Sequence, residues 1–194
     1  MSEKLTSRIQ GGISTVTTWD SNPTLLAKIR TSLPFPLLTS TTTPPNKYTR
    51  PDDATYHQQH PDLLLLKRLT LHFQKTMTWV NNPPCTQCHS PDTQFTSTRG
   101  PLTPEERTGG ASRVEVYACP HCGFGETTFP RYNDPEMLYE TKRGRCGEYA
   151  NLFGCYCRAV GFMTRYVSDF TDHVWVEVFV AGGGGFFGGG GGVG

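Results

Sequence analysis

The sequence predicts an α+β fold, a helix packed on an antiparallel sheet, and three observations predict it. Residues 146–160 place Tyr149, Phe153, Tyr156 and Val160 on one helical face, and Gly161 follows where a helix C-cap belongs. Residues 172–180 alternate with period two, so their valines form a core face and His173, Trp175, Glu177 and Phe179 form the other. The strand-like run Thr164 to Val167 lies between them and is placed to pair beside the second.

The remaining elements follow in order. Residues 1–60 are rich in Ser, Thr and Pro, so weak order is expected there, with one short amphipathic piece, Thr24 to Arg30, and a linker at Thr41-Thr42-Thr43-Pro44-Pro45. From Pro61 to Val80, Leu63, Leu66, Leu69, Phe73 and Met77 recur at three and four residues, one buried helical face ending before Asn81-Asn82-Pro83-Pro84. Residues 85–129 read as loop-rich, with a polar insert over 90–112 and one short strand, Val114 to Tyr117. The expected organisation is a segment 1–60, a core 61–180 containing a cysteine module 85–122, and a disordered glycine-rich tail 181–194.

Composition excludes several classes. With 194 residues, 36% hydrophobic content and a net charge of +1, the chain suits one domain with a sizeable core and carries no electrostatic footprint for nucleic acid or an anionic membrane. Its longest aliphatic run, Leu63 to Leu66, is too short to span a bilayer. Met1-Ser2-Glu3-Lys4 leads into a polar stretch unlike a signal peptide, so a reducing cytoplasmic or nuclear location is expected.

Seven cysteines, an odd number partly in CxxC pairs, then point to metal binding and catalysis rather than disulfides. Cys85-x-x-Cys88 and Cys119-x-x-Cys122 each offer two thiolates from one tight turn, and two such turns close a tetrahedral structural zinc site. Cys85 to His89 also fits the c-type haem attachment pattern, but that needs an exported protein and leaves the second pair unexplained. A thioredoxin-like redox pair would sit between a strand and a helix. His89 and His121 read as bystanders, because four thiolates already satisfy the ion.

Cys146 falls at the N-terminus of its helix, where unpaired N–H groups, the dipole, and Arg143 and Arg145 favour a thiolate; Gly144 and Gly147 permit close backbone approach. It is the candidate nucleophile, and His173 the candidate base. Cys155 and Cys157, inside the helix, read as structural.

These residues resemble a known family. Gly144-Arg-Cys-Gly-Glu-Tyr-Ala-Asn151, Arg158-Ala-Val-Gly161, Arg165-Tyr-Val167 and Asp172-His-Val-Trp175 are similar to cytoplasmic peptide:N-glycanase of the transglutaminase-like superfamily, and Trp79-Val-Asn-Asn-Pro-Pro-Cys85 with the two CxxC pairs looks like its zinc module. The resemblance implies a transglutaminase-like, papain-like core and hydrolysis of the amide joining N-acetylglucosamine to asparagine on misfolded glycoproteins, within endoplasmic-reticulum-associated degradation. It assigns Cys146 as nucleophile, His173 as base and then acid, Trp79 beside the substrate carbonyl, and Cys85, Cys88, Cys119 and Cys122 as zinc ligands. It further implies N-glycosylated misfolded proteins and ubiquitin-receptor shuttle proteins of the proteasome as partners, the latter through the helix around Leu25 to Ile29.

One departure stands out. The family's triad aspartate lies on the strand after the histidine strand, and no Asp or Glu follows Glu177 here. Asp172 points to the opposite strand face, and Glu177 is about 13 Å along the strand from His173. Removing the orienting carboxylate costs about four orders of magnitude in a serine-protease triad. The expectation is therefore a truncated chain of impaired activity, or an inactive zinc-binding module that recognises glycoproteins or the degradation machinery.

Overall fold

A computed structural model describes residues 3–39, 60–169, 171, 173–180 and 185–189. The linker expected at residues 41–45, and Asp172, lie outside the described residues.

Three helices open the chain: α1 (Glu3–Ser21), α2 (Pro23–Ser32) and α3 (Phe35–Thr39). Weak order was the expectation here, and the difference has a physical cause. α1 spaces Leu5, Ile9, Val16 and Trp19 on one stripe that was hidden among threonines and two glycines of poor helix propensity. Tertiary packing overrides that propensity, since Trp19, Leu25 and Ile29 are all buried in the main core. Asn22 marks the break between α1 and α2: its side chain accepts from the Leu25 N–H at 2.9 Å, ahead of Pro23 in the first turn.

α4 (Pro61–Thr76) buries Leu64, Leu66, Leu69 and Phe73, with Met77 buried just beyond its end. It stops before the short β1 (Thr78–Trp79), earlier than the sequence expectation of residue 80. The segment expected to be loop-rich is more ordered than its polarity suggested. It holds β2 (Gln94–Arg99), α5 (Pro104–Thr108), β3 (Val114–Ala118) and β4 (Thr127–Pro130), forming an antiparallel sheet in the order β2-β3-β4. A Thr103/Glu106 capping box starts α5, and Arg99 clamps Glu106 through two hydrogen bonds of 2.9 and 2.8 Å.

α6 (Pro135–Thr141) begins at an Asp134 cap and ends at Lys142, whose φ is +50°. Then comes β5 (Arg143–Gly144), which pairs in parallel with β1. The central helix, α7 (Cys146–Ala159), buries all but its first two residues and Arg158, and Gly161 follows with φ +91°. It lies against a second antiparallel sheet of β6 (Thr164–Ser168), β7 (Val174–Val180) and β8 (Gly185–Gly189), ordered β6-β7-β8. Val176, Val178 and Val180 point into the core as the alternation required, and Thr164 pairs with Val178. Among the described residues, no helix is long and apolar enough to cross a membrane.

Candidate functional site

Cys146 is the first residue of α7 and is partly exposed. Three ties hold it there. Before it, the β1–β5 pairing joins Thr78 N–H to the Lys142 carbonyl at 2.8 Å and Val80 N–H to the Gly144 carbonyl at 3.1 Å, so Trp79 runs beside Gly144. After it, Glu148 accepts from the Arg145 N–H at 2.9 Å. Gly144 is required by this closure, because a Cβ there would lie 2.2 Å from Cβ of Glu148. A Cβ at Gly147 meets nothing within 4 Å, which leaves the space beside the Cys146 backbone open.

The third tie is a buried charge cluster. Arg131 forks onto Glu148 through Nε and Nη2 at 2.7 and 2.8 Å and reaches Glu115 at 3.0 Å. Arg145 also forks onto Glu115, at 3.0 and 2.8 Å, and donates to the carbonyls of Val80 and Asn81, both at 2.8 Å. Burial pushes the Glu115 carboxyl up, but the hydrogen bonds from Arg145, Tyr117 and Arg131 dominate and hold it at about 2. The cationic field expected from Arg145 at the thiol is therefore largely neutralised by Glu115, and Arg145 acts as a strut. Glu148 is buried and paired.

Trp79 is 37% exposed and packs on Tyr149 with ring centroids 5.4 Å apart. Its indole N–H donates to Asn81 Oδ1 at 2.8 Å rather than pointing free. His173 sits at the turn before β7, exposed, its ring stacked on Trp175 at 5.7 Å and 26°. Its backbone N–H donates to Asp169 Oδ1 at 2.9 Å, and its carbonyl accepts from Asp169 N–H at 3.0 Å. Among the described residues the imidazole itself makes no hydrogen bond.

Tyr166, which sequence reasoning missed, connects these parts. It lines a polar hollow of about 150 Å³ with Gly147, Asn151, Asn133 and Arg131, and a neighbouring one of about 350 Å³ with Ser168 and Val174. Burial pushes its phenol up to about 12, and the Cys146 and Glu148 charges add to the effect, so it stays a neutral donor near the thiol. Its position on the predicted strand beside the histidine strand was the only available signal. Burial likewise raises Cys155 to about 12 and Cys157 well above the usual thiol range, so both are inert core thiols.

Cys85, Cys88, Cys119 and Cys122 converge, with all four sulfurs within 4.8 Å of one another. Cys85 Sγ is 3.7 Å from Cys122 Sγ, and Cys88 Sγ is 3.6 Å from Cys119 Sγ, too long for disulfides of about 2.05 Å. The two turns repeat one geometry. Cys85 and Cys119 N–H groups donate to the carbonyls of Ser90 and Phe124, while His89 and Gly123 N–H groups donate back to those cysteines. His89 and Gly123 both have positive φ, +60° and +74°. Such a cluster could hold a metal ion.

Comparison with known proteins agrees with this geometry: residues 92–187 match the transglutaminase-like superfamily. That stretch, just under half of the chain, is similar to a transglutaminase-like domain. Proteins named peptide-N(4)-(N-acetyl-beta-glucosaminyl)asparagine amidase resemble it. The Oryza sativa subsp. japonica protein is 48% identical over 118 residues, 61% of this chain and 26% of that protein. The Gallus gallus protein is 47% identical over 131 residues, 66% of this chain and 20% of that protein. The Homo sapiens protein is 40% identical over 173 residues, 88% of this chain and 26% of that protein, so part of the α1–α3 region lies within the matched stretch. The chain thus spans about a quarter of the length of these relatives. Gly144, Cys146, Gly147, Tyr166 and His173 all fall inside the stretch that matches the transglutaminase-like superfamily, whereas Trp79, Cys85 and Cys88 precede it.

Proposed function

We propose that this chain performs the amidase chemistry of the relatives it resembles, cleaving the amide between N-acetylglucosamine and an asparagine side chain of misfolded glycoproteins. The observation that carries the reading is Cys146 at the first position of α7, beside the open face of Gly147, within the stretch similar to those amidases. The thiolate attacks the amide carbon, and His173 takes the thiol proton and returns it to the departing glycosylamine. Water then hydrolyses the thioester, leaving aspartate on the protein. The Cys146 N–H, without a partner among the described residues at the helix start, stabilises the oxyanion. Trp79 packs the substrate carbonyl side, and its indole N–H must leave Asn81 to donate there.

Cys85, Cys88, Cys119 and Cys122 hold a structural zinc ion. A tetrahedral site with Zn–S of about 2.3 Å has sulfur–sulfur edges of about 3.8 Å; the 3.7 and 3.6 Å contacts match two of its six edges, and all four sulfurs lie within 4.8 Å of one another. Zinc would supply only structure, fixing the ends of β3 and of the segment after β1. The further partners are ubiquitin-receptor shuttle proteins of the proteasome, and the site of action is the cytoplasm or nucleus.

The test is incubation of the zinc-loaded chain with a denatured N-glycoprotein, reading glycan release and conversion of asparagine to aspartate by mass spectrometry. Cys146→Ala and His173→Ala should abolish conversion. One observation favours a second reading, an inactive glycoprotein-binding module: the His173 imidazole has no carboxylate partner among the described residues. Retained glycoprotein binding with no conversion by the unmodified chain would select it.

A further inference from the structure

We infer that Arg145 is a positioning residue that couples the four-cysteine cluster to the Cys146 thiol. The inference rests on reading Cys146 as the nucleophile. Arg145 precedes Cys146 directly, and its guanidinium reaches both segments that lead into the cysteine turns. It donates to the carbonyls of Val80 and Asn81, five and four residues before Cys85. It also donates to Glu115 and to the Tyr117 hydroxyl at 2.9 Å, four and two residues before Cys119. Tyr117 in turn donates to Glu115 at 2.7 Å.

The two lead-in segments also touch beside the fork, through a small apolar cluster of Val80, Tyr117 and Phe129. One leaves β1 and the other ends β3, and these strands belong to different sheets. Sulfur ligation would clamp their far ends together, and the Arg145 fork clamps their near ends to the helix that carries the thiol. Drawing the thiolates onto an ion therefore fixes Val80, Asn81 and Glu115, and Arg145 transmits that order to the backbone on which Cys146 sits. Without the ion, the sulfur clamp on the far ends is lost, and the near ends rest on the Val80–Tyr117 contact and the Arg145 fork. Val80 and Asn81 can then shift against Glu115, which Arg131 and the strand pairing still hold, so Arg145 no longer meets both sides at once and the first turn of α7 loosens. The planar fork is essential, because a lysine at 145 keeps the charge but cannot bridge two carbonyls and a carboxylate at once.

The test reads site-resolved alkylation of Cys146 by iodoacetamide against pH, followed by mass spectrometry of its peptide, in the zinc-loaded chain and after removal of zinc with EDTA. Cys155 and Cys157 serve as internal fold reporters, because they alkylate only when α7 opens. In the unmodified chain, Cys146 should react well ahead of them when zinc is bound, and should slow roughly tenfold on zinc removal, an ordinary coupling between two sites. In Arg145→Lys, and independently in Glu115→Gln, Cys146 should already be slow with zinc bound and nearly insensitive to its removal, while Cys155 and Cys157 stay protected. Failure of Cys146 to outpace Cys155 in the zinc-loaded unmodified chain would sink the nucleophile reading itself. A fast Cys146 whose rate and zinc sensitivity are the same in Arg145→Lys and Glu115→Gln would overturn the coupling alone. Exposure of Cys155 in one variant moves the decision to the other.

Discussion

Two glycines of α7 separate a helix that packs on the N-terminal region from one that does not. An alanine in a helix interior is favoured over glycine by about 1 kcal/mol. At Gly147 nothing lies within 4 Å of the new methyl, so Gly147→Ala should stabilise the chain by up to about 1 kcal/mol, less whatever the first turn forfeits. At Gly154 the same methyl would fall 2.2 and 2.3 Å from Cε2 and Cζ2 of Trp19. Those atoms belong to a rigid ring with no solvent exposure, whose Nε1 donates to Asn151 Oδ1 at 3.0 Å. Overpacking of this kind costs about 1–3 kcal/mol, and displacing the ring also strands a buried amide oxygen at about 1–3 kcal/mol. Even after the helix gain, Gly154→Ala should destabilise by about 1–5 kcal/mol, lowering Tm by about 2–4 °C for each kcal/mol at this chain length. Urea unfolding followed by far-UV circular dichroism, with zinc held saturating in every sample, measures both variants on one scale. A Gly154→Ala chain as stable as Gly147→Ala would refute the seating of α1 on α7, and with it the inclusion of the N-terminal helices in the core.

Three further outcomes follow from the buried charges and the cysteine turns. Arg131→Leu alone leaves Glu148 buried without its cation and removes one of the two that pair with Glu115, and should cost about 3–5 kcal/mol in urea unfolding; adding Glu148→Leu should recover part of that loss. Glu115 is depressed from its ordinary value of 4.5 to about 2, so its contribution is complete above pH 4.5 and fades as pH falls toward 2. Acid titration of stability should therefore show an arm in that window that Glu115→Gln flattens, and an identical arm in the variant would contradict the pairing. In the cysteine turns, Gly123→Ala should cost about 1 kcal/mol, because φ is +74° there. His89→Gly, at φ +60°, should be neutral to stabilising, and melting of the zinc-loaded chains checks the opposite signs.

The strand of His173 was legible because burial on one face writes its period directly into the chain, and the helix of Cys146 because its large aromatic residues recur at helical spacing, although nearly all of that helix is buried. Tyr149, Phe153 and Tyr156 turn inward, and so do Val176, Val178 and Val180. The pairing of Cys85–Cys88 with Cys119–Cys122 was legible for a different reason, since a shared ion needs a fixed spacing within each turn but tolerates a long insert between them. What stayed hidden is what depends on a partner distant in sequence. α1 has only Trp19 fully buried, and Ile9 and Ile13 are 46% and 62% exposed, so its stripe is faint without the α7 surface it meets. The insert before β3 looked like loop because β2 is nearly all exposed and its order comes from backbone pairing to β3. Arg131, Glu115 and Glu148 read as ordinary charges, and Arg145 as part of the field at the thiol, until the fold buries them against one another.

That hidden charge cluster also explains an asymmetry in the site. The thiol side is over-determined: strand pairing, the Glu148 closure and the Arg145 fork each hold the start of α7. The imidazole side is held by its backbone, through Asp169, and by one ring stack on Trp175. Trp175 is itself anchored, since its indole N–H donates to Glu177 Oε1 at 3.2 Å, and Glu177 Oε2 accepts from Arg165 Nε at 2.8 Å. Arg165 lies 3.9 Å above the Phe186 ring of β8. Glu177 is thus too far along the strand to touch the imidazole, yet it reaches His173 through the one side chain that does. The outer face of β7, which alternation alone marks only as the side away from the core, is a continuous strip from β8 to the imidazole. Cutting that strip at Glu177 or Arg165 frees the Trp175 ring without touching the core valines, so the orientation of His173 is separable from the stability of the sheet beneath it.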